Sequence, residues 1–133
     1  MISQNNKINA SPRIRIIQKI YGHLMNPEEQ ISYAKSQYKK FIKDVTEGTI
    51  ERKELIEETI VKFLKDDIDL KRTDKLLKII IYAAVFELLY KHNNPKKVII
   101  SEYLKTSEHF LEQAQIKYLN AILDKISKKI RAK

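Results

Sequence analysis

The sequence predicts an all-α protein, and three observations point there. Apolar residues recur at spacings of three and four along nearly the whole chain. No stretch alternates strictly between apolar and polar, and no two-residue glycine turn joins two apolar runs. With 133 residues and 43% hydrophobic composition, the chain can bury one packed core, so a single domain is expected over residues 11–133.

The elements follow in order. Residues 1–10 are polar without an apolar stretch and read as a flexible leader. Ser11-Pro12 starts the first helix, since serine caps and proline suits the first turn. Ile16, Ile17, Ile20 and Leu24 share one face, and the helix ends near Met25, ahead of Pro27. Asn26-Pro27-Glu28-Glu29 starts a second helix with two carboxylates at the positive end of its dipole. Its stripe is Ile31, Ala34, Tyr38, Phe41, Ile42 and Val45, and Gly48-Thr49 breaks it. A third helix covers residues 51–65, with Leu55, Ile56, Ile60, Phe63 and Leu64 inward. Residues 66–72 form a charged connection, and Thr73 caps a fourth helix. Between residues 76 and 89 only Lys78 and Glu87 are charged, so this helix is buried on nearly every side. Asn93-Asn94-Pro95 separates it from a fifth helix carrying Val98, Ile99, Tyr103 and Leu104. A sixth starts near Gln113 and carries Ile116, Leu119, Ile122, Leu123, Ile126 and Ile130.

Composition excludes several function classes. The chain has no cysteine, which rules out a disulfide scaffold, a cysteine zinc finger and a thiol nucleophile. Its two glycines cannot build a P-loop or a dinucleotide fingerprint, both of which need clustered glycines. His23, His92 and His109 are scattered, with no second histidine three or four positions away. Asp66, Asp67 and Asp69 lack the glycine and distal glutamate of a calcium loop. No nucleophile and base can be paired, so no enzyme and no cofactor are expected. The longest apolar run, residues 79–86, falls short of the roughly 20 a membrane span needs, and a soluble, cytoplasmic protein is expected.

The formal net charge is +9. Lysine and isoleucine each occur 21 times, so coding bias accounts for part of it. The distribution is more telling. Residues 1–27 carry Lys7, Arg13, Arg15 and Lys19 and no acid. Residues 28–74 sum to −2, and residues 75–133 to +7. Two basic ends around an acidic middle suit a polyanion such as nucleic acid. The basic cluster after Lys125 also suits a helix C-terminus, which is a structural account of it.

Two stretches resemble the NusB transcription antitermination family. Arg13-Ile-Arg-Ile-Ile-Gln18-Lys-Ile20-Tyr21 resembles the family's opening pattern of arginine, a small apolar residue, then Gln-x-Leu-Tyr. Ala84-Val-Phe86-Glu87-Leu88 resembles Ala-x-Tyr-Glu-Leu, and Pro95-Lys-Lys97-Val98-Ile-Ile-Ser101-Glu102 resembles Pro-x-x-Val-Ala-Ile-Asn-Glu. Lys117-Tyr118-Leu119-Asn120-Ala121-Ile122-Leu123-Asp124 resembles Lys-Phe-Val-Asn-Gly-Val-Leu-Asp, seven residues after Phe110 as in the family. The likeness spans about residues 11–131. Ala121 replaces a usual glycine, Tyr82 a common arginine, and Ala114-Gln115-Ile116 an acidic-serine segment. The resemblance implies two small helical bundles packed at a steep angle. It also implies binding of boxA single-stranded RNA of ribosomal RNA transcripts with NusE, a small-subunit ribosomal protein, and through them an indirect link to RNA polymerase. Family members occur in more than one oligomeric state, so a homodimer stays open.

Under that resemblance Lys7, Arg13, Arg15 and Lys19 would meet RNA phosphates, although a solvated helix face also explains them. Lys117 and Tyr118 would offer a cation and a stacking ring, although Tyr118 also fits a core position. Tyr21 and Glu87 are candidate partner contacts, with packing at the seam between bundles as the alternative. Two rivals to a transcription factor remain. One is a helical scaffold whose charge is only coding bias. The other is a NusB-like module acting with an RNA methyltransferase, whose cofactor domain and catalytic cysteines this chain does not carry.

Overall fold

The computed structural model describes residues 11–132. Lys7 and the leader expected over residues 1–10 lie outside the described residues. Six helices are described: α1 (Pro12–Met25), α2 (Lys39–Glu51), α3 (Lys53–Leu64), α4 (Lys75–Tyr90), α5 (Lys96–Ser107) and α6 (Gln113–Ile130). No strand occurs among the described residues, so the all-helical fold is the one the periodicity predicts.

The α4 helix is the centre of the molecule. Every residue from Ile79 to Leu88 is buried, and α4 packs against all five other helices. Its nearly continuous apolar circumference suits burial on almost every side, which is why so few charges interrupt it. The α1 helix packs against α2, α4 and α5, whereas α6 packs against α3, α4 and α5. The interior is mostly aliphatic, built around Ile16, Ile17, Ile56, Ile60, Ile80, Ile81 and Leu123.

Three boundaries differ from expectation, each for a physical reason. The second helix starts at Lys39, not beside Pro27. Residues 26–38 instead run as turns and extended chain, and Tyr33 leans onto the core from there. Gly48 does not break α2 but lies buried within it. A Cβ on Gly48 would stand 2.2 Å from Phe86 Cζ, so glycine is there to admit the ring. The real break is the single residue Arg52 between α2 and α3, whose guanidinium stacks over the Tyr90 ring at 4.7 Å. Asp74, not Thr73, caps α4 by accepting from the Leu77 N–H at 3.2 Å. Thr73 instead donates to the Asp69 carbonyl at 2.7 Å. Leu55, expected inward, is exposed on α3.

Candidate nucleic-acid interface

The basic residues of α1 divide sharply by position on the helix. Arg13 is buried at 9% exposure. Its Nε donates to Glu87 Oε2 at 2.9 Å and its Nη2 to Glu87 Oε1 at 2.7 Å, a two-pronged pair across α1 and α4. The guanidinium also stacks between two rings, 5.0 Å from the Phe41 centroid and 5.4 Å from that of Tyr103. Burial opposes the Arg13 charge, but the hydrogen bonds and charge of Glu87 outweigh it and hold the pKa above its ordinary value. Arg13 is therefore an interior residue and not a phosphate contact. Glu87 has no exposed surface and also accepts from the Tyr103 hydroxyl, so it is not a partner contact either. Glu102 sits 3.9 Å from Arg13 at the edge of the same network. Periodicity sets Arg13 away from most of the apolar face of α1, and the acid 74 positions later that draws it inward has no local signal.

Arg15 and Lys19 occupy the other side of α1. With Gln18, Tyr33, Ala34, Lys39 and Ile42 they line a cleft of about 330 Å³ between α1, α2 and the 26–38 segment. The lining holds three cations and no acid. Lys19 is fixed there. Its Nζ donates to the Ser32 carbonyl at 2.6 Å and lies 5.1 Å from the Tyr33 ring centroid. Partial burial, and then the neighbouring Arg15 charge, push the Lys19 pKa below its ordinary value. Two like charges held this close make the cleft attractive to an anion.

Lys117 and Tyr118 lie elsewhere. Both are exposed near the start of α6, and the Tyr118 hydroxyl donates to the Asp67 carbonyl at 2.8 Å in the α3–α4 connection. Nothing brings this pair against the α1 cleft, because α1 and α6 do not pack on one another. The basic C-terminal end of α6 is largely committed. Lys125 pairs with Asp67 at 2.7 Å and Lys128 with Asp124 at 3.2 Å. Arg131 donates to the carbonyls of Leu88 at 3.0 Å, Asn94 at 2.5 Å, Glu87 at 3.2 Å and Lys91 at 3.0 Å. It thereby ties the C-terminal end of α4 to the end of α6, adding to the backbone bonds that the Glu87 and Lys91 carbonyls already accept. Its sequence context, a run of lysines at a helix end, gave no sign of that role.

Tyr21, Leu24 and Met25 are exposed at the C-terminal end of α1. Leu24 borders a second cleft of about 500 Å³, lined by Ile20, His23, Ile79 and Tyr82 and edged by Lys53, Lys75 and Lys78. No group of three or more histidine, aspartate or glutamate side chains that could hold a metal occurs among the described residues. None of the described helices is long and apolar enough to cross a membrane.

The family model described as "NusB family" matches residues 4–128. This chain belongs to the NusB family. The Transcription antitermination protein NusB of Mesorhizobium japonicum is 34% identical over 92 residues, covering 69% of this chain and 59% of that protein. The protein of the same name from Sinorhizobium fredii is 29% identical over 126 residues, covering 94% of this chain and 78% of the relative. The solved NusB of T. maritima shares the fold, with a TM-score of 0.76, 22% identity and 90% and 91% of the two chains covered. Two departures from the NusB pattern find their place in this fold. Ala121 lies on the exposed side of α6, so its methyl group presses on no neighbouring helix. Tyr82 is buried on α4 and donates to Glu57 Oε2 at 2.5 Å, joining α4 to α3 where an arginine is common in the family.

Proposed function

We propose that this chain is a non-catalytic transcription antitermination factor that holds boxA RNA together with NusE. The observation that carries the reading is the acid-free cleft of Arg15, Lys19 and Lys39 on a member of the NusB family. Clustered cations attract a phosphodiester backbone by releasing its counterions. Lys117 and Tyr118 form a second contact on this reading. Lysine follows the backbone, and the exposed tyrosine ring stacks on an unpaired base, worth roughly 1–3 kcal/mol. Tyr21, with Leu24 and Met25, presents an apolar edge for the protein partner, since exposed aromatic and aliphatic side chains in one patch mark such surfaces. RNA polymerase would be reached indirectly, through the RNA and NusE.

The test is boxA affinity measured against salt concentration, with and without NusE. Binding should weaken steeply with salt, tighten when NusE is added, and exceed binding to a scrambled RNA of equal length. Equal affinity for the scrambled RNA, or no response to salt, would sink the reading.

A further inference from the structure

The second cleft, at the C-terminal end of α1, has a chemistry of its own. Four helices build it: α1 gives Ile20 and His23, α2 gives Thr49, α3 gives Lys53, and α4 gives Lys75 and Tyr82. Its volume of about 500 Å³ is that of a small-molecule site. Exposure is graded through it. Ile20, Thr49, Ile79 and Tyr82 are buried and make the floor, whereas Leu24, Lys53 and Lys75 are exposed at the mouth. Two polar atoms here lack a hydrogen-bond partner among the described residues. One is the hydroxyl of Thr49, a residue only 2% exposed, and the other is His23 Nδ1. A buried polar atom left unpaired is costly, so it calls for a partner. The Tyr82 hydroxyl is already committed to Glu57, so Tyr82 offers the cleft only its ring. The mouth is cationic. Lys53 and Lys75 open α3 and α4, where a cation opposes the helix dipole, and neither holds an ion pair or hydrogen bond among the described residues. Lys78 donates to the Leu70 carbonyl at 3.4 Å, and the Asp74 carboxylate next to Lys75 caps α4. No acid lines the cleft. Glu28, Glu29, Glu47 and Glu51 line a neighbouring one that shares only His23, Pro27 and Ile50 with it.

We propose that this cleft binds a small amphiphile, an apolar body with a carboxylate at one end and a hydroxyl at the other. The carboxylate sits at the mouth with Lys53 and Lys75. The body lies against Ile20, Ile79 and the Tyr82 ring, where removal of apolar surface from water drives binding. The far hydroxyl meets the Thr49 hydroxyl on the floor, since each can donate and accept. A hydroxylated medium-chain carboxylic acid is the simplest molecule of this class. Neither Arg15 nor Lys117 lines this cleft, so the site is separate from the RNA contacts and does not depend on them.

The experiment titrates the full chain with three probes of equal length: ω-hydroxydecanoate, decanoate and the matching diol. Amide shifts in NMR spectra report where each binds, and calorimetry reports the affinity. The hydroxy acid should give saturable shifts centred on residues 20–27, 49–53 and 75–82. It should bind several-fold more tightly than decanoate or the diol. Thr49→Val keeps the side-chain shape and removes only the hydroxyl. It should erase the advantage of the hydroxy acid over decanoate and leave decanoate affinity unchanged. That hydroxyl has no partner among the described residues, so its loss should leave the core packed as before. Lys53→Gln combined with Lys75→Gln should bring the hydroxy acid down to the affinity of the diol. Both lysines are exposed, so this variant does not disturb the core. Lys129→Gln, on exposed α6 surface, should bind as the wild type does. Equal affinity for all three probes, or shifts scattered over the surface, would mark detergent-like adsorption and overturn the proposal. So would an unchanged ranking of the probes in either the Thr49 or the lysine variant.

Discussion

Arg13 and Glu87, 74 positions apart, pair through two hydrogen bonds of 2.9 and 2.7 Å in the interior between α1 and α4. Such a pair returns little net stability over an apolar substitute, but losing one partner strands a buried charge. Arg13→Met should therefore destabilise the protein by ~3–5 kcal/mol, read as a lower urea midpoint. The double variant Arg13→Met, Glu87→Leu should be more stable than Arg13→Met alone. A single variant within about 0.5 kcal/mol of the wild type would show the pair to be solvated.

Gly48 and Phe86 make a tighter constraint than the pair. Gly48→Ala places a methyl group 2.2 Å from the ring edge if nothing moves. Overpacking of this kind costs about 1–3 kcal/mol, against which the helix propensity of alanine returns at most about 1. Thermal unfolding should show a net loss for Gly48→Ala, and Phe86→Leu in the same chain should relieve it.

Arg131 should behave as a helix cap supplied from another helix. Arg131→Ala removes its bonds to the Leu88 and Asn94 carbonyls and the second bond to those of Glu87 and Lys91, at ~1–3 kcal/mol. Arg131→Lys should recover only part of this, because one ammonium cannot span four carbonyls as a guanidinium does. Hydrogen exchange at the last turn of α4 would localise the loss.

Alkaline solution should unfold the protein through its buried phenols. Burial, then Glu87, raises the Tyr103 pKa well above 10.0, and burial, then the bond to Glu57, raises that of Tyr82. Below pH about 10 these groups are protonated whether the chain is folded or not, and their contribution to stability is intact. Above it only the unfolded chain releases the protons, so stability falls by up to about 1.4 kcal/mol per pH unit for each phenol. Tyr103→Phe should flatten that decline by one proton in denaturation curves recorded between pH 9 and 11.

Removing charge at Arg15 and at Lys117 should weaken RNA binding additively. The helices that carry them do not pack together, so the two sites share no contact through which to couple. Affinities of the two single variants and the double variant test this. A double variant much weaker than the sum would indicate a shared site.

The helices were legible in the sequence because each rests on local signals. The apolar period of α4 and the Asn93-Asn94-Pro95 stop need no distant residue to be read. The start of α2 was not legible. Asn26-Pro27-Glu28-Glu29 has the chemistry of a helix start, yet residues 26–38 serve instead to carry Tyr33 and Ser32 to Lys19. Gly48 reads locally as a breaker, and only the approach of Phe86 shows why it sits inside a helix. Arg15, Lys19, Lys117 and Tyr118 stand out in the sequence by charge and aromatic character alone. Lys39 went unremarked, because nothing in its neighbourhood along the chain links it to α1.

The sequence by itself determined the helical class, the buried central helix and the family pattern. These depend on residue types three or four apart, a distance the helix itself sets. Only the tertiary structure decided which charges reach solvent. Arg13 and Arg15 are neighbours of identical chemistry, yet one turns to an interior carboxylate and the other to an acid-free cleft. A charge takes its meaning from the groups packed around it, and for these two arginines those groups lie on α2, α4, α5 and the 26–38 segment.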